Sequence, residues 1–255
     1  MGADIDLGQR QREVFERIRT RSIEVAERRI QRTRANGPRI AVTRPGCDDM
    51  GAVLAALDYK YALVGDIEVS DSSVLVGYDV LFINCGAGGN PAANKVALQR
   101  FVQRGGILYV SDLSFPQIEA AFPNFIESSS GGCAGQWVNA KVVKQELKDI
   151  LGSHVRIYFD LGAWIPIERA RSDVHVYLTG SFNTSHGHKE DKPILVSFKY
   201  GLGEVIFTSF HNHRQATDME QKLLRFFILK TVSAACGMSV VALAQSKGLL
   251  LTSFR

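Results

Sequence analysis

The hydrophobic and polar positions follow two periods along the chain, one typical of helices and one typical of strands. Residues 9–34 carry apolar side chains at approximate helical spacing, which predicts a long amphipathic helix that ends before Gly37 and Pro38. Further on, short apolar runs predict strands at 39–43, 61–64, 78–84 and 107–111, with helices at 50–57 and 92–104. Strands that alternate with helices indicate a parallel sheet covered on both faces.

After residue 121 the pattern changes, because predicted strands follow one another with little helix between them. We expect a helix at 138–151, a polar loop at 183–191, and strands at 156–159, 174–178, 194–198 and 204–210. The turn at 199–203 is short enough for a hairpin. The predicted fold class is therefore α/β: a flavodoxin-like, doubly wound, mostly parallel sheet with an antiparallel extension and an added N-terminal helix.

Three parts are predicted along the chain. Residues 1–37 form the basic helix and residues 38–235 the α/β domain, which includes a last long helix at 217–236. Residues 236–255 form a tail that packs on the domain.

The composition argues against several classes of protein but does not identify the function. The chain has 255 residues, of which 45% are hydrophobic and 22% charged, so it can bury a substantial core. No apolar run approaches the roughly 18 residues needed to span a bilayer, and the N-terminus lacks a secretory pattern, so we expect a cytoplasmic protein without membrane contact. The four cysteines form no C-x-x-C pair, and we expect no disulfide framework, no structural zinc and no cofactor.

The positive charge is concentrated in the predicted N-terminal helix. Residues 9–34 contain nine arginines and only four glutamates. One interpretation is a docking element for a protein partner, for self-association or for nucleic acid; the other is a solvated helix face with no binding role. The candidate partner-binding residues are Arg10, Arg17, Arg21, Arg28 and Arg32.

Three segments, in order, carry a resemblance to a known family. Residues 79–91 read as an apolar strand followed by a glycine-rich loop, residues 107–111 as a strand that ends in Ser111, and residues 205–210 as a strand that leads to His211. This order is similar to that of the class I glutamine amidotransferase-like superfamily, above all its trehalose-utilisation-like branch. The resemblance implies an oxyanion or anion-binding loop at Gly86, Ala87, Gly88 and Gly89.

The sequence also departs from the family pattern. In the family, the nucleophile is a cysteine on a strained strand-to-helix elbow between two glycines, and a glutamate follows the catalytic histidine by two residues. Here Ser111 aligns with that cysteine between Tyr109 and Leu113, and His213 takes the place of the glutamate. We therefore expect a degenerate catalytic triad and a non-catalytic binding or scaffolding module that docks a partner through its basic helix.

The alternative is a hydrolase of amide or ester bonds. It would use Ser111 or Cys85 as nucleophile and His211 as base, with the glycine-rich loop as oxyanion hole. Cys85 also fits a plain role as a small, buried packing residue.

A metal site is a further alternative. Histidines two residues apart on an extended segment point the same way, which permits paired ligands. Because one pair lies in the predicted polar loop, we expect no metal. The residues concerned are His186 with His188, His211 with His213, and Asp48 or Asp112.

Overall fold

The structure is a computed structural model that describes residues 2–129, 131–133 and 135–211, together with a few helical residues of the C-terminal region. Those residues are Phe226, Leu229, Lys230, Val232, Ser233, Ala235, Val240 and Ala242. Most of the predicted tail at 236–255, most of the predicted last helix and His213 lie outside the described residues.

Helices and strands alternate through the first half of the chain. The helices of the described chain are α1 (Gly2–Asn36), α2 (Met50–Ala56), α3 (Asp66–Ser70), α4 (Ser72–Leu75), α5 (Pro91–Gln103), α6 (Phe115–Ala121) and α7 (Gln145–Leu151). The strands are β1 (Ile40–Thr43), β2 (Ala62–Val64), β3 (Val80–Ile83), β4 (Ile107–Ser111), β5 (Ile126–Ser128), β6 (Gln136–Val142), β7 (His154–Phe159), β8 (Ile167–Ala170), β9 (His175–Thr184), β10 (Gly187–Tyr200) and β11 (Gly203–Thr208).

Nine of the eleven described strands form one sheet, in the order β2-β1-β3-β4-β11-β10-β9-β6-β7, and β5 and β8 pair antiparallel in a second, two-stranded sheet. The first five strands of this order are parallel, and they have the 2-1-3-4-5 order of flavodoxin-like folds. The remaining strands pair antiparallel, so the predicted α/β class, the parallel sheet and the antiparallel extension are all confirmed.

The parallel half is buried on both faces, as its strand sequences predict. In β3, Leu81 and Ile83 pack into one hydrophobic cluster, whereas Val80 and Phe82 pack into another on the opposite face. Successive side chains of a strand point to opposite faces, so a strand covered on both sides must be apolar throughout. A third cluster, around β6, β7 and β9, forms the core of the antiparallel half.

Two predictions in the second half of the chain are wrong. The predicted helix at 138–151 is strand β6 followed by the shorter helix α7, because side chains from Val138 to Val142 alternate between buried and exposed with the period of a strand. The predicted polar loop at 183–191 is instead the end of β9, a tight turn and the start of β10. Pairing with neighbouring strands determines the secondary structure of both segments.

Helix α1 is joined to the body near its C-terminal end. The Arg32 guanidinium donates to the carboxylate of Asp79, which is fully buried at the start of β3, and Thr33 is buried beside it. Arg39, just beyond the helix, donates its backbone N–H to the same carboxylate at 2.9 Å. Asp79 thus holds both the helix and the chain that follows it.

Candidate functional site

The carboxyl ends of the parallel strands meet at one edge of the sheet, and the candidate residues lie there. Cys85 follows β3, Asp112 follows β4, and His211 follows β11. Strands β3, β4 and β11 are neighbours, so the topology places these three residues side by side. Ligand sites of open α/β sheets lie at this edge.

Asp112 occupies a strained position. It is the first residue after β4, at the start of a 3-10 turn (Asp112–Ser114), and its φ is 40°, a left-handed value that a residue with a side chain seldom adopts. The strained turn between strand and helix therefore falls at Asp112, one residue beyond Ser111, which aligned with the family's cysteine. Strain at a strand end is frequent at functional sites.

The Asp112 carboxylate has contacts on both oxygens. Its Oδ1 accepts the backbone N–H of Ile165 at 2.7 Å. Its Oδ2 lies 3.7 Å from the Cys85 sulfur and 3.3 Å from Nε2 of His211. The amide fixes the orientation of the carboxylate, so that Oδ2 faces both the thiol and the imidazole.

His211 is held from its other side by a second carboxylate. Its Nδ1 lies 2.9 Å from Oδ1 of Asp160, which follows β7 in the antiparallel half. The imidazole is only 1% exposed. His211 therefore bridges two acidic groups that come from different halves of the sheet.

Burial and charge set the protonation of this cluster. Burial, and then the charge of Asp112, raise the pKa of the Cys85 thiol, so it stays protonated. Burial also raises the pKa of Asp112, against the hydrogen bonds from His211 and Ile165. For His211, burial lowers the pKa, but Asp112 and the charges of Asp48 and Asp160 outweigh it and leave the pKa above its ordinary value.

Ser111 is the last residue of β4 and takes no part in this cluster. Its side chain is fully buried, and its hydroxyl donates to Oδ2 of Asp48 at 2.8 Å. Of the two aspartates before α2, Asp49 caps the helix by accepting the N–H of Ala52, whereas Asp48 turns inward to Ser111. The structure thus brings Cys85 and His211 together through Asp112, and it pairs Ser111 with Asp48 instead.

The glycine-rich loop after β3 has the backbone conformation that its glycines allow. Gly86, Gly88 and Gly89 have φ values of 74°, 95° and 66°, all in the left-handed region. The Ala87 amide donates within the protein, to the Asn84 carbonyl at 3.0 Å and to the Ser114 hydroxyl at 3.2 Å. That amide is therefore already engaged and does not serve as an oxyanion donor in this arrangement.

An open crevice of about 820 Å³ lies beside the loop. It sits where the strand order reverses, between the ends of β1 and β3, which is the usual ligand position in this class of fold. The crevice lining comprises Arg44, Pro45, Gly46, Gly65, Asp66, Ile67, Glu68, Gly86 and Ala87.

The other histidine pair of the sequence lies elsewhere. His186 lies in the turn between β9 and β10 and His188 at the start of β10; both are exposed, and His188 contacts the Asn183 side chain at 2.8 Å. Within the described residues, the group with metal-ligand spacing is instead Cys85, Asp112 and His211.

Two groups at the site were not predicted from the sequence. Asp160 directly follows a strand, which was a usable signal, although its strand belongs to the antiparallel half and gave no reason to place it near His211. The Ile165 amide carried no signal, since any residue could supply it. Both come from the segment between β7 and β8, which also buries Trp164 under the antiparallel half.

The candidate partner-binding arginines differ in their surroundings. Arg17, Arg21 and Arg28 are exposed, and Arg28 lies 3.5 Å from Glu24 one turn away. Arg32 is only partly exposed and is bound to Asp79. The side chain of Arg10 lies outside the described residues.

The comparisons with known proteins show a similarity of fold. No protein-family model and no curated protein matches the sequence. Among solved structures, a ThuA-like protein from Bacteroides uniformis is similar with a TM-score of 0.62 at 12% identity, over 80% of this chain and 95% of that chain. PurLQS from Thermotoga maritima gives a TM-score of 0.57 at 17% identity, over 76% of this chain and 98% of that chain.

A third structure, a GMP synthase component from Thermoplasma acidophilum, gives a TM-score of 0.54 at 14% identity, over 78% of this chain and 94% of that chain. These similarities establish an amidotransferase-like, flavodoxin-like fold. At such identities they concern the fold alone.

The described part of the chain contains no helix that combines the length and the apolar character needed to cross a bilayer.

Proposed function

We propose that this chain is a non-catalytic, amidotransferase-like binding module that docks a protein partner through its arginine-rich N-terminal helix. The observation that carries the proposal is the identity of the residue at the strained elbow after β4. Asp112 stands there, with one oxygen on the Ile165 amide and the other facing Cys85 and His211. A carboxylate held in this way is a poor nucleophile, because both its oxygens are engaged and its burial favours the protonated form.

The surroundings of Cys85 and Ser111 also support a non-catalytic role. The Cys85 thiol is fully buried beside Asp112, which raises its pKa and disfavours the thiolate that a nucleophile needs. The Ser111 hydroxyl donates to Asp48, and aspartate is a weaker base than the histidine of a serine hydrolase. The hydrolase alternative would require both environments to rearrange.

The geometry of α1 supports its docking role. At 3.6 residues per turn, Arg10, Arg17, Arg21, Arg28 and Arg32 fall within about 60° of arc on the helix. The stripe starts at the body, where Arg32 binds Asp79, and continues along the helix through exposed arginines. A row of guanidinium groups suits a partner surface rich in carboxylates.

Reactivity of the thiols tests the non-catalytic part of the proposal. Cys47 is exposed and lies in the neighbouring loop, so it is an internal reference for Cys85. We expect iodoacetamide to modify Cys47 first and Cys85 only after unfolding, as followed by peptide mass spectrometry, and a serine-directed phosphonate to leave Ser111 unlabelled. Fast labelling of Cys85 or Ser111 that disappears in His211→Ala would establish an activated nucleophile and refute the proposal.

Charge reversal tests the docking part. Arg21 and Arg12 are both exposed and lie on opposite faces of α1, about 180° apart at 100° per residue. Fluorescence anisotropy with labelled poly-glutamate should show Arg21→Glu weakening binding by about tenfold, and Arg12→Glu by much less. Equal effects of the two substitutions, or no binding by the unaltered chain, would contradict a directed arginine stripe.

Two controls separate the alternatives for this helix. Sedimentation of both variants measures self-association, which the stripe would serve if Arg21→Glu alone dissociated an oligomer. Duplex DNA replaces poly-glutamate in a parallel titration, and stronger binding to DNA with a steep salt dependence would favour the nucleic-acid interpretation over a protein partner.

A further inference from the structure

We propose that Cys85, Asp112 and His211 form a zinc-binding site. These three residues each offer one ligand atom, and the three atoms lie within 4.8 Å of one another. The site is independent of docking through α1 and goes beyond it, since it assigns a ligand to the buried cluster at the carboxyl edge of the sheet.

The spacing of the ligand atoms suits a tetrahedral zinc ion. Zinc bonds of about 2.0 Å to oxygen and nitrogen and about 2.3 Å to sulfur place the ligand atoms of a tetrahedron about 3.3–3.6 Å apart. In the structure, the Asp112 oxygen lies 3.3 Å from the His211 nitrogen and 3.7 Å from the Cys85 sulfur. Small side-chain rotations would complete the coordination, and the fourth position is left for water or another oxygen.

Each of two ligands is also oriented by a second group, as in established zinc sites. Oδ1 of Asp160 lies 2.9 Å from Nδ1 on the far side of the His211 ring, and a carboxylate in this place favours the tautomer that leaves Nε2 free for a metal. The Ile165 amide holds Oδ1 of Asp112 and leaves Oδ2 directed at the other two ligands. These contacts prepare the donors before an ion arrives.

The charges balance around a divalent ion. Binding releases the proton of the Cys85 thiol and any proton on the Asp112 carboxyl or on Nε2 of His211, and the resulting thiolate and carboxylate neutralise Zn²⁺. The donor set of sulfur, nitrogen and oxygen favours zinc over magnesium or calcium, which prefer oxygen ligands alone. All three residues are buried, which strengthens their attraction to a divalent ion.

The test uses the full chain stripped of metal with a chelator and titrated with Co²⁺ and with buffered Zn²⁺. We expect one ion per chain, ligand-field bands of tetrahedral intensity, a thiolate-to-cobalt charge-transfer band, and proton release on binding. Cys85→Ser should abolish the charge-transfer band and weaken zinc binding by at least 100-fold, and Asp112→Asn and His211→Gln should weaken it similarly.

Matched controls keep the test decisive. Cys47→Ser removes the exposed cysteine of the adjacent loop and should change neither stoichiometry nor spectrum. Asp160→Asn should weaken binding by about 10–100-fold while the charge-transfer band persists, since Asp160 orients a ligand and does not bind the ion. Circular dichroism of each metal-free variant confirms that it is folded.

Two outcomes would overturn the proposal. One is a chain that binds no Zn²⁺ or Co²⁺ at stoichiometric concentration. The other is binding that survives Cys85→Ser with its affinity and charge-transfer band unchanged, which would place the ion elsewhere.

Discussion

The ionisable groups in and beside the two halves of the central sheet differ in burial and in their partners. In the parallel half, strand ends converge and bury Cys85, Asp112 and His211 in mutual contact. Beside the antiparallel half, Glu168 of the small β5–β8 sheet is paired closer to solvent with Lys189 and Lys192 of β10. Parallel strands all end at the same edge, whereas antiparallel strands distribute their ends between two edges.

The two halves are nevertheless joined at the candidate site. The segment between β7 and β8 supplies Asp160 to His211 and the Ile165 amide to Asp112. The antiparallel half therefore covers the edge of the parallel half and excludes water from it. The parallel half thus brings the ionisable groups together, and the antiparallel half sets their orientation and burial.

The largest loss of stability is expected where a substitution disturbs the close packing of loops at the carboxyl edge. A Cβ at Gly46 would lie 2.3 Å from the Cys85 carbonyl oxygen, so Gly46→Ala forces apart the loops after β1 and β3. We expect a loss of about 2–3 kcal/mol in the free energy of unfolding, measured by urea denaturation.

The matched control for this change lies in the same crevice. At Gly65 an added Cβ would have the Glu68 carboxylate as neighbour at an ordinary 3.5 Å, so Gly65→Ala should cost about 0.5 kcal/mol or less. Equal losses for the two substitutions would mean that the loops are not in close backbone contact.

A buried acid at the opposite edge gives an intermediate effect. Burial pushes the pKa of Glu204 upward, but the hydrogen bonds from Lys199 and Ser197 outweigh it and hold the pKa below its ordinary value of 4.5. A lowered carboxyl pKa stabilises the fold above that value, and the stabilisation is lost as pH falls through the folded pKa. Glu204→Gln should cost about 2 kcal/mol at neutral pH.

Urea denaturation as a function of pH checks this effect. The difference between Glu204→Gln and the unaltered chain should shrink as pH falls below 4.5. A difference that stays constant with pH would assign the loss to packing and not to the carboxylate.

The partly exposed ion pairs of the β5–β8 sheet should give the smallest loss of stability. Hydrogen bonds from Lys189 and Ser129 lower the pKa of Glu168 to about 2, so its contribution should be lost as pH falls from about 4.5 to about 2. Because the pair is partly solvated, we expect Glu168→Gln to cost about 1 kcal/mol or less at neutral pH. Glu127→Gln, which removes a more exposed partner of Arg169, should cost still less.

Thermal unfolding at a series of pH values distinguishes these surface changes. If Glu168→Gln lost more stability than Glu204→Gln, the comparison would be reversed, because the stronger electrostatic contribution would then lie at the β5–β8 sheet.

Much of the fold was readable from local pattern. The sequence predicted β4 with its observed bounds and α5 within one residue at each end, because fully buried strands are apolar throughout and Gly105 and Gly106 mark a helix end. It failed at β6, where Val138, Ala140 and Val142 alternate with polar residues and pairing with β7 and β9 fixed the strand. For such a segment, tertiary contacts outweigh local preference.

The candidate site was only partly readable. Cys85 and His211 were predicted because each follows an apolar strand near a motif of the family, but the strained elbow was placed at Ser111 and not at Asp112. A one-residue shift at a strand end reverses the direction in which a side chain points, so the sequence could not decide which of the two faces His211. Likewise, no local pattern pairs Asp48 with Ser111, although the Ser111 hydroxyl donates to the Asp48 carboxylate.

By itself, the sequence determined the alternation of strands and helices, the parallel sheet with its antiparallel extension, and the concentration of arginines before residue 37. These follow from periodicity and composition, which are local properties of a chain. Only the tertiary structure decided that Asp112 is the residue between Cys85 and His211, and that Asp160 reaches His211 from 51 positions earlier in the sequence. Contacts between distant segments depend on how the sheet and its covering loops pack, and no local pattern records that packing.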